Sequence, residues 1–135
     1  MKSITLYIIV LGLVFLSGCS EDGIVDSKPG DPIDSVTNLE FSIDTSGVKL
    51  TWKLPSSFPE DIIQPVSVFI RVKTDGITAD TKELGDAPES YTYTSYDPSK
   101  EYRFTVKVMG RVDTDEPHVS DLRYSLGKTV VIEKQ

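Results

Sequence analysis

The alternation of apolar and polar residues predicts three long β-strands. Segments 48–54, 66–72 and 102–108 carry an apolar side chain at every second position, with polar residues between them. A period of two buries one face of a strand and leaves the other in water, as in antiparallel sheets. Three shorter segments fit the same pattern: Leu39–Ile43, Ile77–Thr81 and Ser90–Thr94. No segment shows the spacing of an amphipathic helix, so the pattern predicts an all-β fold.

Turn-forming residues separate these strands, and they set the architecture. The turns are Thr45–Gly47, Pro55–Ser57, Asp75–Gly76 and Asp97–Ser99. Many short strands at such spacing are typical of a sandwich or barrel. A chain of 135 residues has room for one domain. We therefore predict an antiparallel, immunoglobulin-like β-sandwich of about seven strands over residues 36–135.

The segment Gly47–Trp52, followed by Pro98 and Tyr102, resembles the fibronectin type III family over residues 36–133. The resemblance implies that Trp52 is a core residue of the second strand. It also implies that Tyr102 is a corner tyrosine whose hydroxyl bonds to upstream backbone. The segment Gly110–Lys128 is long for the family's last connection, so the start of the final strand stays open. Another seven-stranded sandwich of immunoglobulin type accounts for the same pattern.

The first residues have the organisation of a bacterial lipoprotein signal peptide. Lys2 supplies a positive start, and Ile4–Leu16 forms an apolar run too short to span a bilayer. Leu16-Ser17-Gly18-Cys19 resembles a lipobox, in which the cysteine receives diacylglycerol before cleavage on its N-terminal side. Cys19 is the only cysteine of the chain. We predict a signal peptide at residues 1–18 and a lipidated Cys19 that attaches the protein to a membrane.

The residues after Cys19 predict a tether and a location. Residues 19–35 are rich in glycine, proline and acidic residues and show no period, which is typical of a flexible linker. Ser20 followed by Glu21 and Asp22 resembles the export signal of Bacteroidota surface lipoproteins. This favours the outer membrane, at the cell surface or on the periplasmic face.

Net charge argues against one class of partner. The chain has a formal charge of −7, and removal of residues 1–18 would remove Lys2, their only charge, to leave −8. A phosphate backbone is repelled by such a surface, so nucleic acid is not expected as a partner.

Residues with catalytic or metal-binding chemistry are few. His118, Ser120 and Asp121 lie too close in sequence to converge as a catalytic triad. A lone sandwich seldom supplies the cleft that paired carboxylates need for glycoside hydrolysis. Asp113, Asp115 and the adjacent Glu116 offer fewer than half of the oxygens that calcium requires, so a solvated acidic loop is the alternative. We predict no enzyme activity, no metal and no cofactor.

Aromatic residues outside the predicted core are candidates for binding. Phe58 lies in the connection after the second strand, where it could either cap the sandwich or anchor a partner. Phe69 is out of phase with the buried face of its strand. Tyr124 is the tyrosine left without a predicted core position.

These observations favour a non-catalytic interaction module that binds a protein or glycan at the cell envelope. A glycan-capturing or glycan-processing accessory protein of a polysaccharide-uptake system is one alternative, and a structural spacer, adhesin or pilus-type component is another. In the fibronectin type III topology the tether leaves from the pole that carries Phe58, Asp113, Asp115 and His118. We therefore expect those loops to engage a membrane-proximal partner.

Lipidation is tested by Cys19→Ala. Because the thiol accepts the diacylglycerol, this variant should stay unprocessed or appear as soluble protein. Signal-peptide cleavage and membrane fractionation are the measurements. A Cys19→Ala protein that is still cleaved and still fractionates with membranes would refute the assignment.

Overall fold

A computed structural model describes residues 30–115, 117 and 120–135, and this part of the chain contains eight β-strands. They are β1 (Thr37–Asp44), β2 (Gly47–Lys53), β3 (Ile62–Thr74), β4 (Ile77–Leu84), β5 (Ser90–Tyr93), β6 (Tyr102–Val112), β7 (Leu122–Tyr124) and β8 (Lys128–Ile132). All pairings between them are antiparallel. The predicted antiparallel all-β class is confirmed. The signal peptide and residues 19–29, including Cys19, lie outside the described residues.

The strands form two sheets. The smaller sheet has the order β1-β2-β5, and the larger has the order β4-β3-β6-β7, with β8 also paired to β6. β6 is therefore the central strand of the larger sheet. Each sheet buries one face, as the period of two requires.

The core lies between β2 of the smaller sheet and β3 and β6 of the larger. In β6, Tyr102, Phe104, Val106 and Val108 are all buried and alternate with more exposed residues. Trp52 is 2% exposed, and its indole N–H donates to the Pro88 carbonyl at 2.8 Å. The only polar atom of the indole is thus satisfied.

Among the described residues there are eight strands instead of about seven, because the final strand is interrupted. Both β7 and β8 pair with β6, and Ser125–Gly127 separates them. The hydroxyl of Ser125 accepts a hydrogen bond from the Val108 N–H at 2.9 Å and donates to the Leu126 carbonyl at 3.0 Å. The Ser125 hydroxyl therefore satisfies the Val108 N–H of β6 in place of a backbone carbonyl.

β3 begins at Ile62, four residues before the alternating segment found in the sequence. Its pairing with β6 shifts register between Ile63 and Ser67. Pro65 lies in this irregular stretch, where the absence of a backbone N–H is tolerated. Because the alternation breaks here, the first four residues of the strand cannot be recognised from the sequence pattern.

The packed part of the chain reaches back into the segment assigned to the tether. Ile33 is 3% exposed and belongs to the core cluster. A Cβ at Gly110 would lie 2.8 Å from side-chain carbons of both Ile33 and Ile62. Because Gly110 has no side chain, these two isoleucines can pack directly against β6.

The corner residue named by the family resemblance has matching hydrogen bonds. The Tyr102 hydroxyl donates to the Ser95 carbonyl at 3.3 Å and accepts from the Asp97 N–H at 3.0 Å. The side chain is 2% exposed. Tyr102 therefore ties the connection before β6 to the core.

Among the described residues, no helix has the length and apolar character needed to cross a bilayer.

Trp52→Ala should lower the free energy of unfolding by about 3–5 kcal/mol, because it opens a large cavity between the sheets. Lys49→Ala is the matched control, since Lys49 lies on the exposed face of the same strand. It forms no ion pair with the residues that the structure describes. Thermal and denaturant unfolding measure the difference. Equal midpoints for the two variants would contradict the strand register.

Candidate interaction surface

The chain enters the domain beside the connection between β2 and β3, at the end of the sandwich that we call the tether pole. The Arg123 guanidinium is held there: Nη1 donates to the Asp31 carbonyl at 3.0 Å. It also forms a two-pronged pair with Asp61, in which Nη1 and Nη2 donate to the two carboxylate oxygens at 3.0 and 2.6 Å. The Arg123 side chain is only 8% exposed. We call this arrangement the Arg123 clamp; it fixes residue 31 to both β7 and the β2–β3 connection.

Electrostatics within the clamp favour its charged form. The hydrogen bond from Arg123 holds the pKa of the Asp61 carboxyl below its ordinary value of 3.8, with desolvation opposing and the guanidinium charge assisting. A Cβ at Gly30 would collide with the Arg123 guanidinium, and the Gly30 φ of +109° also suits glycine. The backbone of the entering chain therefore packs directly on the ion pair.

Phe58 lies at the same pole but is not a free anchor. It is partly buried and packs against the core cluster. Of the two roles considered for it, the structure places it in the capping role. A depression of about 520 Å³ next to it is lined by Gly30, Asp31, Phe58, Pro59, Glu60 and Asp61.

The predicted acidic loop does not assemble a metal site among the described residues. Asp113 and Asp115 are exposed, and neither forms an ion pair within the described ranges. His118 and Glu116 lie outside the described residues. No group of three His, Cys, Asp or Glu side chains in residues 30–115, 117 and 120–135 could hold an ion.

Two aromatic residues without a predicted core position come together on the outer face of the larger sheet. The rings of Phe69 on β3 and Tyr124 on β7 have centroids 6.0 Å apart at an interplanar angle of 81°. They meet across β6, the strand between them. Such edge-to-face pairs add to the stabilisation from burial, yet Tyr124 remains 40% exposed.

A buried methionine lies on the same face as this ring pair. Met109 pairs with Tyr124 on one side and Ser67 on the other, which puts it on the outer face. It is 2% exposed although it is not part of the core cluster between the sheets. We attribute its burial to the overlying rings, an arrangement in which sulfur and aromatic edges attract. Sequence analysis missed Met109, because β7 had not been located as its cover.

The apolar surface continues towards the tether pole. The register aligns Ile63, Arg111 and Leu122 in one outer row, and Ile63 is 50% exposed. We define the outer patch as four residues of this face: Ile63, Phe69, Leu122 and Tyr124. Leu126, which follows Tyr124 in the interruption before β8, is 82% exposed.

Four cations lie on the same face, beyond the rings. Arg71 and Lys73 on β3 lie in phase with Phe69, while Arg103 and Lys107 on β6 lie in phase with Met109. We call these four residues the basic cluster. The net charge of −7 gives no hint of it, because the clustering depends on which residues share a face. The larger sheet therefore presents an apolar half and a basic half side by side.

Comparison with known proteins identifies a family for the chain. A family model for a domain of unknown function, DUF4945, matches residues 19–132. No curated protein sequence matches the chain.

The Arg123 clamp predicts a pH-dependent contribution to stability. Asp61→Asn should lower the unfolding midpoint at neutral pH, because a nearly buried guanidinium loses its charged partner. Since the pKa of Asp61 is depressed in the folded state, the wild-type advantage is fully present above pH 3.8 and is lost as pH falls further. Thermal unfolding from pH 7 to pH 3 measures this.

Glu60→Gln is the control, because it makes the same change at the adjacent exposed carboxylate. If the Asp61 and Glu60 variants had the same midpoint at pH 7, the clamp would not stabilise the domain.

Proposed function

We propose that this chain, which belongs to the DUF4945 family, is a lipid-anchored, non-catalytic interaction module of the bacterial cell envelope. In this proposal the outer patch contacts a protein partner, and the tether carries the domain at the outer membrane. The outer patch is the observation on which the proposal depends.

The lipid anchor has support beyond the lipobox itself. The family match begins at Cys19, the residue proposed as the first of the mature protein. Residues 20–29 then separate the anchor from the point where the chain joins the Arg123 clamp. Ten residues of extended chain reach at most about 33–36 Å, so the tether pole stays close to the membrane.

A fibronectin type III-like topology is the proposed form of the sandwich. The sheet orders β1-β2-β5 and β4-β3-β6-β8 agree with the two sheets of that family. The placement of Trp52 on the second strand and the two hydrogen bonds of the Tyr102 hydroxyl also support it. Because this fold hosts many functions, the functional argument depends on the surface alone.

The outer patch has the properties of a protein-binding surface. Phe69 and Tyr124 form a semi-rigid aromatic centre, and aromatic residues at the centre of an interface commonly dominate its affinity. Ile63 extends the apolar surface to one side at 50% exposure. The rim is polar, because Arg71 and Lys107 border the rings. An apolar centre with a polar rim is the usual organisation of such interfaces.

Ring geometry favours a protein over a glycan. Stacking on a sugar needs ring faces that lie flat on the surface, and two rings at 81° do not form one platform. An edge-to-face pair instead presents a ridge, which fits between side chains. This surface is thus less suited to glycan capture. The cross-linking experiment below would detect a bound glycan.

Tyr124→Ala and Phe69→Ala should each reduce partner binding by at least about tenfold, the effect expected for a central interface aromatic. The measurement uses the full-length lipidated protein in cells, with a photo-cross-linking amino acid at position 63. Cross-linked products are quantified and identified by mass spectrometry. Unfolding midpoints show that each variant remains folded.

Phe41→Ala is the matched control. Phe41 is 42% exposed, close to the 40% of Tyr124, but it belongs to the smaller sheet. A specific protein product that survives Tyr124→Ala and is lost with Phe41→Ala would place the binding surface on the other sheet. Products that contain only glycan would replace the protein-binding role with glycan capture.

A further inference from the structure

We propose that the protein partner presents acidic side chains beside an apolar anchor, so that its carboxylates meet the basic cluster while its anchor meets the outer patch. This inference rests on the proposed function and adds the chemistry of the partner. It is carried by the placement of Arg71, Lys73, Arg103 and Lys107 on the same face as the ring pair.

The basic cluster is electrostatically unfavourable in the isolated domain. Lys73 and Arg103 are direct cross-strand partners on one face, and like charges in that relation destabilise a sheet. Arg103 pairs with Glu101 at 2.9 Å. Arg71, Lys73 and Lys107 form no ion pair with any residue that the structure describes. An acidic partner would supply the missing counter-charges.

The cations are unevenly distributed over the molecule. The chain has 14 lysine and arginine residues against 21 acidic ones, yet five of the cations, Arg111 and the four of the basic cluster, lie on one face of two adjacent strands. Acids border the cluster: Glu83 lies opposite Phe69 on β4, and Asp75, Glu101 and Glu133 line one depression with Lys73 and Arg103. A cluster of cations on an otherwise acidic molecule orients an acidic partner during approach.

The arrangement along the strands separates this proposal from binding to lipid phosphates. Arg103 lies at the far end of β6 from the tether pole, and Arg111 lies near that pole. The two positions are eight residue steps apart, which is roughly 26 Å along a strand. The cations of this face are thus spread along its length: Arg111, which pairs with Asp121 at 3.9 Å, lies near the anchor, whereas the four of the basic cluster lie farther away. A membrane-binding surface would place its cations at the level of the headgroups, close to the anchor.

The test uses the full-length lipidated protein with the photo-cross-linking residue at position 63, as above. Lys107→Glu and Arg71→Glu, alone and combined, should lower the yield of the protein cross-link. The double variant should lose roughly tenfold, and the wild-type yield should fall as salt rises. Lys49→Glu is the control, because it makes the same charge change on the exposed face of β2. The cross-linked partner segment should contain more acidic than basic residues.

The outcomes separate the two proposals. If Tyr124→Ala removes the cross-link while both charge reversals leave it intact and the mapped segment is neutral or basic, the acidic partner is wrong and the protein-binding role stands. If neither set of variants changes the yield, the outer patch is not the binding surface. A cross-link to lipid or lipopolysaccharide would overturn the acidic-protein assignment in favour of a phosphate-bearing envelope component.

Discussion

The pairing of β3 with β6 is the constraint on which the rest of the structure depends. The register sets Ile70 against Val106 on the inner face and Phe69 against Lys107 on the outer face. A slip of one residue would exchange the two faces, so that lysine would enter the core and valine would meet water. One register therefore determines both what holds the sheets together and which side chains are displayed. The core and the candidate binding surface are two faces of the same strands.

Much of the core could be predicted from the sequence, because the period of two is strong where one face is buried and the other is wet. β2, the main part of β3 and most of β6 follow this rule, and Trp52 lies in phase with it. The rule fails where the backbone is irregular. Pro65 interrupts the start of β3, and the interruption before β8 leaves β7 with only three residues. A strand that short carries no readable period.

The candidate site was harder to predict, for a related reason. Phe69 and Tyr124 were each recognisable as aromatics without a core position, but they are 55 positions apart in the chain. Their meeting depends on β7 pairing with β6, a long-range contact that composition cannot show. Phe58 shows what position in a loop leaves open. The sequence allowed it either to cap the sandwich or to anchor a partner, and only the folded loop shows that the ring packs on the core.

The Arg123 clamp also determines how the domain carries load. The clamp fastens the entering chain to β7, and β7 also supplies one ring of the outer patch, so the entering chain and the candidate binding surface share a strand. In the proposed lipid-anchored protein, tension at the tether would pass through the clamp into β7 and along the backbone into β1. Both sheets would then share the load, so neither the sheet with the outer patch nor the sheet that contains Trp52 would carry it alone.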